Sequence, residues 1–254
     1  MIHLFKCLFW VLAFFLFTSC VPSNKANHYG FSTHQLNYLH TNGSQELLNK
    51  KVEDQGVVFV IPYRLFKKQG RDAIALFLGR ERIDGKPKKR GMWSEFGGGS
   101  SEDPTSVYEN LNREFFEETM GQLKLNPQTT KEKGVLFFSI SQKNGWPYWG
   151  VAYPLSDPEF KKSLTFNELR QNKTFTQVLS PEQLEKDQFY WFDLDDLMRA
   201  DKAGDQPIRI KPLFVQSPPF IEVRLRTHFT KFFLNHPAFQ AFIQQVTERV
   251  DAAA

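Results

Sequence analysis

The chain has 254 residues, 24% of them charged and 41% hydrophobic, with a formal net charge of +4. That length gives room for one large domain or a domain with extensions, and the composition is ordinary for a globular protein. So weak a positive balance suits a phosphorylated substrate and argues against a nucleic-acid duplex as partner.

Lys6 and the amino terminus open the chain with positive charge, and Cys7 to Phe17 is a continuous apolar run closed by Thr18-Ser19-Cys20. The run has the length of a secretory hydrophobic region and is short for a spanning helix. Its small-small-Cys ending resembles a bacterial lipoprotein signal. The resemblance implies a signal peptide over 1–20, export to the cell envelope (the periplasm), and a membrane anchor through lipid on Cys20. The competing readings are an uncleaved membrane anchor and a buried helix, the latter disfavoured by the lack of polar periodicity. Cys7 and Cys20 are the only cysteines. The folded part therefore has no internal disulfide, zinc–thiolate site or cysteine nucleophile. Residues 21–54 read as a polar tether with one short helix around Ser44 to Lys50. His28, His34 and His40, spaced by six, fit neither helical nor strand ligand geometry and belong to that tether.

The main domain is expected over 55–200. Val57 to Tyr63 reads as a buried strand, and Asp72 to Arg80 as its neighbour across a Lys/Gln/Gly turn. The loop from Arg80 to Gly91 carries six basic residues against two acidic ones. Its Arg80, Arg82, Lys89 and Arg90 are candidate contacts for a substrate's phosphates, with an ordinary solvated hairpin tip as the alternative. Trp93 to Phe96 then leads into Gly97-Gly98-Gly99, where the backbone can approach a ligand closely.

Next comes a helix, with Asp103 as the expected N-cap and Pro104 as its first residue. At about 100° per residue, Val107, Leu111 and Phe115 form an apolar stripe. The same count puts Glu114 and Glu118 within about 40° of Val107, and Glu117 roughly 80° to one side. Carboxylates so placed are partly withdrawn from water, so one must take a proton or a cation must neutralise them. Oxygen ligands of high charge density suit magnesium first and manganese second. A lone E-x-x-E-E would otherwise read as a solvated helix end balanced by Arg113.

Together, Gly99, Arg113, Glu114, Phe115, Glu117 and Glu118 resemble the signature of the Nudix hydrolases, G-x5-E-x7-R-E-U-x-E-E-x-G-U, with U a bulky apolar residue. Six of nine defined positions match over 23 residues. Thr105 stands in place of the first glutamate, and Met120-Gly121 in place of Gly-U. The resemblance implies an α+β fold, an α/β/α sandwich around a mixed sheet. It implies two or three magnesium ions held by Glu114, Glu117, Glu118 and the carbonyl of Gly98, with Arg113 an orienting partner. It also places a late acid near the last strand as ligand or general base; Glu182 and Glu185 are the candidates, Glu185 preferred. The implied activity is hydrolysis of the diphosphate linkage in a nucleoside diphosphate joined to another group. The rival is a non-catalytic envelope lipoprotein that binds a nucleotide or a protein partner.

Beyond the helix, Gly134 to Ser141 and Trp146 to Leu155 read as strands joined by Gln142-Lys143-Asn144-Gly145. Residues 156–188 read as a polar lid or binding loop with a helix over Phe166 to Asn172. Phe189 to Leu197 reads as a strand running into a short helical turn. A C-terminal extension over 201–254 is Pro-punctuated at 206–219, and along it Arg209, Lys211, Arg224 and Arg226 are candidate phosphate contacts, with surface charge the better reading. It then turns helical from Phe220 to about Val250, packing on the domain. Oligomeric state is not legible.

Overall fold

A computed structural model describes residues 56–100, 106–141 and 145–251. The leader, the tether, Asp103, Pro104, Thr105 and the Gln142-Lys143-Asn144 turn all lie outside the described residues. Among the described residues, no helix is long and apolar enough to cross a membrane.

The apolar run at 57–63 continues as strand β1, Val57–Lys68, and turns through Gln69 and Gly70 into β2, Arg71–Glu81. Both turn residues have positive φ, 54° and 81°. A two-residue loop of that kind matches the right-handed twist of the strands it joins. β1 is the hub of a seven-stranded mixed sheet. Along one half it pairs antiparallel with β2, and along the other with β4, Phe96–Gly99. On its other edge it runs parallel to β6, Pro147–Pro154, which carries β5, Val135–Ile140. β2 further pairs with the short β3, Trp93–Ser94, and with β7, Lys186–Asp193. Helix α1, Val107–Glu118, follows β4, and α2, Pro127–Lys133, precedes β5.

Alternation along the strands sends aromatic rings to both faces of the sheet. On one face Phe77 meets Phe96, Phe166 and Trp191, and Phe96 meets Phe115 of α1. On the other, Tyr63 meets Phe242, Phe137 meets Phe233 and Phe239, and Phe59 meets His228. The fold is thus α+β, a mixed sheet with helical layers on both faces, and the C-terminal residues supply one layer.

Three expectations need correction. Residues 156–188 are not mainly loop: they hold α3, Asp157–Ser163, α4, Phe166–Gln171, and α5, Lys173–Thr176, before a 3₁₀ turn at Glu182–Leu184. Their polar composition concealed local caps, such as Ser156 N–H to Glu159 at 2.8 Å and Phe175 N–H to Asn172 Oδ1 at 3.1 Å. The turn after β7 is a full helix α6, Leu194–Ala203, capped by Asp193. The segment 206–250 is not loop and then one helix. Ile208–Ile210 (β8) pairs with Ile221–Val223 (β9), and single bridges join Leu213 to Trp191 and Leu225 to Trp93. A one-turn α7, Thr227–Phe229, and a π turn, Thr230–Leu234, then precede α8, Pro237–Asp251. Pro237 has no N–H to continue the earlier turn, so the chain breaks at Asn235-His236 and restarts. Apolar spacing alone does not show that break.

Candidate active site at the glycine turn and the acidic helix

Helix α1 begins at Val107, with Ser106 rather than Asp103 as N-cap. Glu109 N–H donates to Ser106 Oγ at 3.2 Å, while Ser106 N–H donates to Glu109 Oε2 at 2.8 Å. This reciprocal box satisfies two orphan donors, which one Asp side chain does not. The expected stripe is buried: Val107, Leu111 and Phe115 are at most 1% exposed.

Glu114 and Glu118 follow that stripe inward, and Glu117 stays half-buried. Glu118 Oε2 accepts the Gly97 N–H at 2.6 Å. Gly98 lies so close to Glu114 that a Cβ there would stand 2.6 Å from Oε2. Arg113 binds these parts together through contacts to Glu114 at 2.7 Å, Glu117 at 2.9 Å and the Gly99 carbonyl at 2.8 Å. Burial pushes the Glu114 carboxyl up to about 7, against the pull of Arg113 and with the charges of Glu117 and Glu185 adding to it. Burial likewise pushes Glu118 up to about 8, opposed by Lys186 and reinforced by Glu81 and Glu114. The fold thus holds two carboxyls whose ionised forms are disfavoured, packed against the glycine backbone of β4.

Lys186 is the group that sequence reading missed. Its side chain is 0% exposed, and Nζ lies 2.9 Å from Glu81, 2.8 Å from Ser94 Oγ and 3.7 Å from Glu118. Burial works against its charge, but Glu118 and Glu81 outweigh burial and hold it protonated. Gly79 makes room for its stem, since a Cβ there would meet Lys186 Cγ at 2.8 Å. Arg226 joins from the C-terminal layer, 3.2 Å from Glu81. These partners are 105 and 145 positions apart in pairs along the chain, so no local spacing announces them.

The basic loop is largely occupied with its own surroundings. Arg80 pairs with Asp187 at 2.7 Å, Arg82 with Asp84, and Arg90 Nε donates to the Gly85 carbonyl at 2.8 Å. Lys89 is half-buried and lines two cavities. One, of about 280 Å³, lies between the loop and Pro181 and takes in Glu81 and Glu185. The other, of about 330 Å³, runs along Gly97–Ser100 to Glu95, Tyr148, Arg226 and His228. Glu185 is exposed at the first cavity and its charge reaches Glu114, whereas Glu182 is exposed and hydrogen-bonded to Ser180.

Carboxylates and a main-chain carbonyl are the donor chemistry of a hard divalent cation, and such a cation would relieve the strain on Glu114 and Glu118. The residues fit magnesium in that sense. As they stand, no three His, Cys, Asp or Glu side chains among the described residues are grouped to hold a metal, and Arg113 and Lys186 supply the neutralising charge.

No protein-family model matches the chain, and no curated protein does. Among solved structures, it is similar to a mutT/nudix family protein from Listeria innocua at 12% identity and a TM-score of 0.39, over 76% of this chain and 96% of that one. A MutT/nudix family protein from Enterococcus faecalis has 14% identity and a TM-score of 0.36, over 64% and 57%. The NUDIX domain of Shewanella oneidensis NrtR, solved with ADP ribose, has 12% identity and a TM-score of 0.36, over 86% and 99%. Likenesses at this level assign no activity.

Proposed function

We propose that the chain is a magnesium-dependent hydrolase of the Nudix type, cleaving the diphosphate linkage of a nucleoside diphosphate joined to another group. The observation that carries this reading is the burial of Glu114 and Glu118 flush against Gly97 and Gly98. Two carboxyls desolvated against glycine backbone are costly to a helix that only packs, and such perturbed acids gather at functional sites. Glu114, Glu117, Glu118 and the Gly98 carbonyl would hold magnesium, or manganese in its place. The bound ion would supply charge neutralisation for the diphosphate and a more acidic water. Arg113 orients Glu114 and Glu117, and Lys186 fixes the depth of Glu118 from behind. Glu185, at the cavity mouth, accepts the proton as water attacks phosphorus, with the phosphate–phosphate oxygen leaving on the other product. In this reading the chain is exported and tethered to the envelope membrane by lipid on Cys20.

The second reading is a nucleotide- or partner-binding protein without turnover. It draws on the ion pairs of Arg113 and Lys186, which already neutralise the acids. Release of phosphate or nucleotide from ADP-ribose, dinucleoside polyphosphates, NADH and nucleoside triphosphates, with and without magnesium, separates the two. Hydrolysis should require magnesium and fall at least about a hundredfold in Glu117→Gln and Glu118→Gln. No product from any compound, with the variants indistinguishable from the parent, would leave the binding protein.

A further inference from the structure

Six basic and two acidic side chains give residues 80–91 a balance of +4, as large as that of the whole chain. Only part of this charge is answered within the fold. Arg80 and Arg82 pair with Asp187 and Asp84. Lys86 and Lys88 are exposed and have no hydrogen-bond or ion-pair partner among the described residues. Arg90 is exposed too, and its guanidinium contact, Nε to the Gly85 carbonyl at 2.8 Å, uses a neutral acceptor. Arg224, just past β9, donates from Nη2 to the Arg90 carbonyl at 3.3 Å and adds a fourth uncompensated cation. The acids on this side are Glu185 at the cavity mouth and Glu222, which stands across β8–β9 from Arg209. Behind the loop, Lys89 is held below its ordinary range by burial first, then by Arg226 and Lys186, against the pull of Glu81. Cations crowded in this way repel one another and attract an anionic surface from outside.

The backbone of this loop is pinned. Glu81 N–H donates to the Met92 carbonyl at 2.8 Å, and Gly91 N–H returns to the Glu81 carbonyl at 3.0 Å. Arg82 N–H donates to the Glu185 carbonyl at 3.2 Å, and Ile83 N–H to Asp187 Oδ2 at 3.2 Å. With its main chain tied down, Ile83 still holds its side chain 59% exposed in the middle of the basic segment. An aliphatic side chain set among unanswered lysines and arginines matches a surface that is anionic outside and apolar beneath. The headgroup layer of a bilayer is such a surface. A single-stranded nucleic acid offers the same charge but is gripped by stacking on aromatic rings, and residues 80–91 include none.

We propose that the loop between β2 and β3 docks this protein onto an anionic lipid surface: Lys86, Lys88, Arg90 and Arg224 meet the headgroups, and Ile83 enters the layer beneath them. The docking goes beyond the hydrolase reading and stands without it, since it needs neither the metal nor a diphosphate. Its consequence is orientation. Gly85, Lys86 and Lys89 line the 280 Å³ cavity, so a docked chain opens that cavity toward the membrane surface.

The test is flotation of the full chain with vesicles of phosphatidylcholine alone and of phosphatidylcholine mixed with phosphatidylglycerol. Residues 7–17 are apolar enough to enter either vesicle, so the quantity read is the difference between parent and variants. On anionic vesicles at low salt the parent should bind about a hundredfold more tightly than Lys86→Gln/Lys88→Gln/Arg90→Gln, at about fivefold per cation. On neutral vesicles the two should be equal, and high salt should erase the anionic difference. Ile83→Ser should weaken anionic binding by about tenfold and leave its salt dependence unchanged. Should the triple variant fold poorly, Lys88→Glu decides, because Lys88 has no partner to lose: anionic binding should fall at least about tenfold. A parent that binds both vesicles equally overturns the proposal, as does a triple variant that matches the parent on anionic lipid. Capture of a single-stranded oligothymidylate in preference to anionic vesicles, lost in the same variant, overturns it too and makes this a nucleic-acid face.

Discussion

Met120 occupies a position where most proteins place glycine. It follows the C-cap Thr119, its N–H reaches the Glu117 carbonyl at 3.0 Å, and Gly121 N–H reaches Phe116 at 2.7 Å. This pair of bonds is a Schellman ending, whose first residue past the cap is left-handed. Met120 accordingly has φ 54° and Gly121 φ 71°. Position 120, where the resembled signature has glycine, thus takes a left-handed backbone with a methionine side chain on it. That side chain is 1% exposed. Met120→Gly would relieve about 1 kcal/mol of left-handed strain and forfeit roughly 2–4 kcal/mol of burial and packing. Burial wins, so urea unfolding should show the variant less stable by about 1–3 kcal/mol. A more stable variant would mean that Met120 packs far less than its burial indicates.

His236 decides how the last helix starts. Its Nδ1 accepts the Ala238 N–H at 3.1 Å, Nε2 faces the Phe138 carbonyl at 3.4 Å, and its ring meets Phe137 at 5.2 Å. Accepting at Nδ1 requires the neutral ring, with the proton on Nε2. Burial depresses its pKa to about 4, only slightly offset by the Phe138 carbonyl. Between about pH 4 and 6.5 the unfolded chain therefore binds more protons at this position than the folded one. The neutral ring's contribution is complete above pH 6.5 and is lost as the pH falls toward 4. Chemical denaturation from pH 7 to 4 should show a steeper loss for the parent than for His236→Gln, which has no such titration. Parallel curves would remove His236 from the acid limb. The element boundary itself has a sequence cue, Asn235-His236-Pro237, that the phenylalanine spacing on either side obscures.

At the scale of the molecule, Glu114 and Glu118 give the opposite slope. Their folded pKa values, about 7 and about 8, stand above a glutamate's ordinary 4.5 because both carboxyls are buried. From about pH 4.5 to 8 the folded state thus holds more protons, and metal-free stability falls as the pH rises. A cation that binds the ionised carboxylates reverses that loss. Magnesium should therefore raise Tm more at pH 8.5 than at pH 5.5, and Glu114→Gln/Glu118→Gln should abolish the difference. A Tm indifferent to magnesium at every pH would end the metal reading.

How much of this was legible follows from which contacts are local. The facing of Val107, Leu111, Phe115, Glu114 and Glu118 is set by the pitch of one helix, so counting residues recovers it. The hairpin at Gln69-Gly70 and the strands flanking it were likewise visible, because β-period and turn chemistry span only a few residues. Lys186 beneath Glu118, Glu95 against His228 and Arg226 against Glu81 were not, because each pair joins elements far apart in the chain. Sequence alone determined which side of the helix carries charge inward. Only the tertiary structure decided which cations meet that charge, since a buried ion pair is made by whichever strands and layers packing brings together.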